Sequence, residues 1–207
     1  MSVKIVILRF AFALLFQKYF KNAVKYCIIF HGTGGHPEEN WFTWLKEQLK
    51  QFGYETIVPQ FPTPQNQNPE AWFLVFENYR KYVNPETILI GHSCGGAFLL
   101  RVMERLDRTV KAAVYVAASA GVRPIKYYEI DRPFVEKPFD WDRIRRNAEH
   151  SLVFHSPDDP LICIENGELI AEKLEIDLIR VSNAGHFNAA AGYTKFELLL
   201  EIGRAHV

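Results

Sequence analysis

Cysteine is scarce in this chain of 207 residues: Cys27, Cys94 and Cys163 are widely spaced, with no CxxC and no Cys/His spacing suited to a metal. That excludes a disulfide framework or a zinc site as the organising device and favours a reduced, cytoplasmic setting. An excess of either charge is lacking too. Twenty-four basic and 24 acidic residues cancel, so no long-range field recruits nucleic acid or an anionic membrane surface, and a small-molecule partner fits better. The glycine-rich stretch His31-Gly32-Thr33-Gly34-Gly35 is not followed by the Lys-Ser/Thr of a phosphate-binding loop. It also lacks the third glycine and the ribose-binding acid of a dinucleotide fingerprint, so no nucleotide cofactor is expected, and no metal. No apolar run is long enough to span a bilayer. The longest candidate, residues 4–20 (KIVILRFAFALLFQKYF), is interrupted by Arg9; it resembles a signal peptide in composition but has no small-residue cleavage site before Lys21, so neither secretion nor membrane attachment is expected. Residues 1–22 are read as an N-terminal extension, either an extra element packed on the domain or a segment upstream of it.

What is present reads as one α/β domain over residues 23–203. A hydrophobic share of 48% and a charged share of 23% are ordinary for a globular protein, and the length suits one sizeable core. Short apolar runs at residues 24–30, 54–58, 87–90, 110–117, 150–155 and 176–181 read as strands. Between them lie residues 38–52, 69–83, 95–106 and 166–174, and after the last strand residues 194–202, with apolar side chains at helical spacing. Alternation of this kind predicts a parallel sheet covered on both faces. The pattern lapses over residues 122–149, where Pro124, Pro133 and Pro138 punctuate an aromatic segment and only residues 139–146 look helical. An insertion on the carboxyl side of a strand sits over the ligand crevice, so this segment is either a small lid or a wandering surface connection.

The chemistry is concentrated where Thr87-Ile88-Leu89-Ile90 runs into Gly91-His92-Ser93-Cys94-Gly95 and then into a helix-forming run. Read alone, a Gly/Ser turn between strand and helix is only a turn. In this context it is a nucleophile elbow, whose small residues let the backbone turn sharply and leave the serine at the tip. The amide of Cys94, at the start of the helix, can point at an oxyanion, and the amide of Thr33 in the glycine-rich loop is the candidate second donor. Serine is a weak nucleophile unless a base lies in hydrogen-bond reach and a carboxylate fixes that base. The later strand ends supply both: Asp158-Asp159 follows one strand, and His186, preceded by Gly185, follows the next. His31, His36, His150, His155 and His206 read as structural or solvated, and His92 as pointing away from the serine beside it.

These pieces resemble the small serine hydrolases of the retinoblastoma-binding protein 9 type, within the α/β-hydrolase superfamily. The resemblance rests on His31-Gly32-Thr33-Gly34-Gly35, Trp41 with Trp44-Leu45-Lys46, the elbow, Phe139-Asp140-Trp141-Asp142-Arg143-Ile144, Asp158-Asp159-Pro160 and Gly185-His186-Phe187. It runs from about residue 25 to 200, and departs in the N-terminal extension and at Cys94, where Ser or Ala is commoner. It implies a minimal α/β-hydrolase fold, a three-layer sandwich whose six-stranded parallel sheet has the order 2-1-3-4-5-6. It also implies Ser93 as nucleophile, His186 as base and Asp159 as acid, the Asp-Pro position selecting Asp159 over its neighbour. Asp158 is then expected to be solvated or to bond the amides of its own turn.

Two functions follow as expectations. The first is a carboxylesterase-like serine hydrolase acting on a small ester, thioester or amide, with a shallow pocket rimmed by aromatics from residues 122–141 and from the proline-rich loop at 59–69. The alternative is a non-catalytic adaptor of the same fold, binding a protein through the aromatic segment or through Leu161-Ile162-Cys163-Ile164-Glu165. That stretch spells LxCxE, but it enters a helix rather than lying in a free tail.

Overall fold

A computed structural model of the chain describes residues 24–206, so the extension at residues 1–22 lies outside the described residues. Six strands form one sheet: β1 (Lys25–Phe30), β2 (Tyr54–Ile57), β3 (Ile88–His92), β4 (Val110–Val116), β5 (Ala148–His155) and β6 (Leu178–Arg180). Every neighbouring pair is parallel and the order is β2-β1-β3-β4-β5-β6, as expected for the minimal α/β-hydrolase sheet. The helices are α1 (Phe42–Lys50), α2 (Pro69–Glu77), α3 (Cys94–Arg105), α4 (Tyr128–Val135), α5 (Trp141–Arg146), α6 (Glu165–Leu174) and α7 (Glu197–His206).

Successive side chains of a strand face opposite ways, so a strand apolar at every position must be covered on both sides. In β1, Cys27 and Ile29 join Trp41, Phe42, Leu45, Phe196 and Leu199 in one core layer, beneath α1 and α7. Ile28 and Phe30 join Trp72, Phe76, Phe98, Phe134 and Ile170 in the other, beneath α2, α3, α4 and α6. The second layer is an aromatic stack. Phe61 lies parallel to Trp72 at 4.6 Å between centroids, and Phe98 meets Trp72, Phe61 and Phe73 edge-on. Emptying its centre by Phe98→Ala should cost about 3–5 kcal/mol, because so enclosed a site collapses poorly.

The aromatic expected to rim the pocket from the proline-rich loop, Phe61, is therefore core: it is fully buried. The 122–149 segment also differs from expectation. It contains α4, which local pattern did not suggest because Pro133 lies inside it. Proline removes one helical hydrogen bond and crowds the preceding turn, yet Phe134 is fully buried against α3. Buried Arg101 of α3 also donates from Nε to the Phe134 carbonyl at 2.8 Å and from a terminal nitrogen to the Pro138 carbonyl at 3.1 Å. Tertiary contacts thus outweigh propensity, and the segment is a docked wall rather than a wandering connection. Other boundaries shift slightly. α1 begins at Phe42 rather than residue 38, a 3₁₀ turn at Arg80–Tyr82 replaces the expected end of α2, and the last helix begins at Glu197.

Among the described residues no helix is long and apolar enough to cross a membrane. All three cysteines are unpaired. A cavity of about 280 Å³ is lined by Leu45, Leu49, Tyr54, Ile88, Val114 and Leu199, and neither Ser93, Asp159 nor His186 is part of its wall.

Candidate active site

Ser93 sits between the end of β3 and the first residue of α3 with φ 58° and ψ −126°. A positive φ is strained for a residue with a Cβ and persists only where its surroundings impose it. Here Ser93 N–H donates to the Val116 carbonyl at 3.0 Å, and Gly96 N–H donates to the Ser93 carbonyl at 2.9 Å. The glycines permit the turn: a Cβ on Gly95 would lie 2.2 Å from the Phe30 carbonyl oxygen, and one on Gly91 would lie 2.6 Å from that of Gly95. The start of α3 can thus press against the end of β1. The Ser93 hydroxyl accepts and donates no hydrogen bond among the described residues.

The glycine-rich loop passes beside this hydroxyl, since a Cβ on Gly32 would be 3.1 Å from Ser93 Oγ. The Gly32 carbonyl accepts from Gly35 N–H at 3.1 Å and from His31 Nδ1 at 2.9 Å. That carbonyl and the Thr33 N–H belong to one rigid trans peptide, so holding the oxygen fixes where the N–H points. Neither the Thr33 N–H nor the Cys94 N–H is bonded within the described residues, so the expected donor at Thr33 is not consumed by its own loop. The Cys94 thiol is fully buried, which pushes its pKa up and keeps it protonated.

The carboxylate and imidazole meet across the ends of β5 and β6. His186 Nδ1 lies 2.8 Å from Asp159 Oδ2, while Asp159 Oδ1 accepts from the amides of Leu161 at 2.8 Å and Ile162 at 3.1 Å. With Nδ1 donating to the carboxylate, Nε2 is left as the acceptor. No hydrogen bond joins Ser93 Oγ to His186. Such contacts commonly tighten only when substrate binds. What does bring the two residues together is His92.

His92 does not simply point away, as expected. It is buried, its ring lies 4.9 Å from that of His186, and its Nε2 donates to the His186 carbonyl at 2.8 Å. Burial pushes its pKa down to about 3, so it is neutral. Trp41 adds a second tie, its indole N–H donating to the Phe187 carbonyl at 2.9 Å. His155 is buried as well. Its Nε2 donates to the Ile162 carbonyl at 3.0 Å and lies 3.6 Å from Asp159 Oδ2, and burial lowers its pKa. His31, likewise lowered by burial, accepts the Phe61 N–H at Nε2, 3.0 Å away.

Asp158 also departs from expectation. It accepts from Ser156 Oγ at 2.6 Å within its own turn, but also from the amides of Asn183 at 2.7 Å and Gly185 at 3.1 Å. These bonds, that from Ser156 first, hold its carboxyl below the usual range. It clamps the loop that carries His186.

Sequence reasoning missed one further cluster outright. Asp131 of α4 is 2% exposed and accepts from the Thr33 hydroxyl, while Gln67 Nε2 donates to Thr33 Oγ1 at 2.7 Å and to Asp131 Oδ1 at 2.9 Å. Burial raises the Asp131 pKa, partly offset by these donors. Nothing in the sequence sets Asp131 apart from Glu129, Glu136 and Asp140 of the same aromatic segment.

The LxCxE stretch is folded into the body of the protein. Ile162 is 2% exposed and bridges antiparallel to Ile125, Lys126 N–H donates to the Leu161 carbonyl at 2.8 Å, and Cys163 N–H donates to that of Pro124 at 3.2 Å. A docking peptide needs an accessible extended segment. Among the described residues no His/Cys/Asp/Glu group is arranged to hold a metal ion.

A family model described as serine hydrolase matches residues 27–202. The serine hydrolase RBBP9 of Rattus norvegicus is 26% identical over 173 residues, covering 83% of this chain and 89% of its own. The crystal structure of the ydeN gene product from B. subtilis superposes with a TM-score of 0.82 at 24% identity, over 88% of this chain and 98% of that one. Est1E from Butyrivibrio proteoclasticus, solved with ferulic acid, shares the fold at a TM-score of 0.63 and 17% identity, over 88% and 92% of the two chains.

Proposed function

Because the chain belongs to the serine hydrolase family, we propose that it cleaves a small carboxylic ester, thioester or amide through an acyl-enzyme on Ser93, His186 and Asp159. The observation that carries this reading is the 2.8 Å contact between His186 Nδ1 and Asp159 Oδ2, with the other carboxylate oxygen held by two backbone amides. A carboxylate so held cannot swing away, so the imidazole keeps Nε2 free to accept a proton.

Ser93 Oγ attacks the acyl carbon as its proton passes to His186 Nε2. The resulting oxyanion is received by the N–H groups of Thr33 and Cys94. Collapse of the tetrahedral intermediate breaks the bond to the leaving group, which takes the proton from Nε2. Water then attacks the acyl-enzyme, giving its proton to His186, and collapse returns that proton to Ser93 Oγ as the acid departs. The step needs no cofactor or metal. The acyl group is small and the protein cytoplasmic in this reading: the lid is only two short helices, and its cysteines are free thiols.

A fluorophosphonate probe tests the proposal. Wild type should be labelled and Ser93→Ala should not, and short-chain p-nitrophenyl esters should turn over faster than long-chain triglyceride. Folded wild type that resists labelling would overturn the catalytic reading in favour of an adaptor; faster triglyceride turnover would overturn the substrate class.

A further inference from the structure

Thr33 is held on both sides of its backbone by one polar cluster built from four separate segments. Its hydroxyl donates to Asp131 Oδ1 on the lid helix α4. Gln67, just before α2, donates from Nε2 to Thr33 Oγ1 at 2.7 Å and Asp131 Oδ1 at 2.9 Å, and reaches Cys94 Sγ of the elbow at 3.5 Å. The Thr63 hydroxyl donates to Gln67 Oε1, and the Thr63 oxygen accepts the Gly34 N–H at 2.7 Å. The peptide after Thr33 is thus tied to Thr63, its side chain to Asp131, and the peptide before it through the Gly32 carbonyl to His31 and Gly35.

A buried carboxylate next to an oxyanion site is an expensive choice. Taking the charge out of water is costly, and its field opposes the negative charge that forms on the substrate. An apolar residue at 131 would avoid both costs but would leave the Thr33 hydroxyl and a Gln67 N–H short of an acceptor. What the acid supplies is one oxygen that takes both donors at once, and so ties two loops that are already joined at Thr63 and Gly34 to the lid helix α4.

We propose that Asp131 is a positioning residue for the oxyanion hole: through the Thr33 hydroxyl it sets the place of the Thr33 N–H beside Ser93, and so makes the oxyanion donor depend on how α4 is seated. This rests on the serine-hydrolase reading above. The donor does nothing in the ground state that substrate binding requires, so loosening it weakens stabilisation of the transition state rather than binding. Removing one oxyanion donor costs about 10²–10³-fold in turnover; a loosened donor is only misplaced, and the expected loss is about 10- to 100-fold.

The experiment is a steady-state double-mutant cycle with a short-chain p-nitrophenyl ester, with melting temperatures to establish folding. Asp131→Ala should lower kcat by about 10- to 100-fold with KM within about threefold, and Asp131→Asn, which keeps an accepting oxygen, should recover most of it. Thr33→Val should reproduce the loss and Thr33→Ser should not. The Asp131→Ala, Thr33→Val double variant should be no slower than the slower single variant, because both break one link. Folded Asp131→Ala with unchanged kcat, or losses that multiply in the double variant, would overturn the proposal. If Asp131→Ala does not fold, the Thr33 pair decides: equal kcat for Val and Ser would overturn it. Fluorophosphonate labelling of wild type separates the two readings, since a labelled, active wild type with indifferent Asp131 and Thr33 variants sinks only this proposal, whereas an unlabelled one sinks the reading beneath it.

Discussion

The corner at the ends of β5 and β6 and the corner at the ends of β1 and β3 are built on opposite principles. In the first, His186, Asp159 and Asp158 are bonded at nearly every polar atom, down to the His186 carbonyl held by His92. Nε2 of His186, left open to take a proton, is the exception, and beside these residues Nδ1 of His92 and of His155 go unpaired at a cost of about 1–3 kcal/mol each. In the second, the Ser93 hydroxyl and the N–H groups of Thr33 and Cys94 have no partner among the described residues, although the backbone around them is pinned. Groups that must keep one orientation are saturated, while groups that must receive the reacting atom are held in place but left open. Donors arranged in advance need no reorganisation when charge develops.

That contrast can be broken at four points. Ser93→Ala removes the only reacting atom of the open corner and should cost about 10⁶-fold in kcat, measured on an activated ester; residual turnover within about tenfold of wild type would place the nucleophile elsewhere. In the saturated corner, Asp159→Asn should leave the fold intact and cost about 10⁴-fold, because the amide lets the imidazole present the wrong tautomer. Asp158→Asn acts only by loosening the His186 loop and should cost about tenfold in kcat. A severe loss at 158 with a mild one at 159 would reverse the assignment of the acid. The smallest effect is on stability. Burial depresses the pKa of His31, His92 and His155, so below about pH 6.5 the unfolded chain takes up protons that the folded protein refuses. Their contribution is therefore full above about pH 6.5 and is lost as pH falls toward the folded value, at up to about 1.4 kcal/mol per pH unit for each histidine. The raised carboxyls of Asp131 and Glu39 act in the opposite sense, stabilising at low pH and losing that contribution as pH rises. Thermal melts of His92→Gln, which keeps a donor for the His186 carbonyl but does not titrate, should fall less steeply than wild type between about pH 6.5 and 4.5. An identical slope would mean that the folded protein accepts a proton on His92.

Much of the framework was legible because it is local. Apolar runs of strand length and the glycines around Ser93 lie within short windows of sequence, and so does each strand end that carries Ser93, Asp159 or His186. The 2-1-3-4-5-6 sheet and the choice of Asp159 over Asp158 came from resemblance, and the structure brings Asp159 to His186. What was illegible depends on distant partners. The Asp131 to Thr33 bond joins residues 98 positions apart, and that from His92 to the His186 carbonyl joins residues 94 apart. Helix α4 was hidden because Pro133 argues against it locally, while the docking of Phe134 and the Arg101 bonds that secure it are long-range. Phe61 looked like a pocket rim because its loop is rich in proline, and only the stack with Trp72 reveals it as core.

The left-handed backbone at Ser93 has a consequence for how such a chain would age. A side chain at that φ costs on the order of 1–3 kcal/mol that glycine would not incur, so Ser93→Gly should give a better-melting protein that cannot acylate. Were the fold kept only as scaffolding, drift toward glycine at this one position would be uphill in nothing and downhill in free energy. Serine at the elbow is therefore a standing trade of robustness for reactivity.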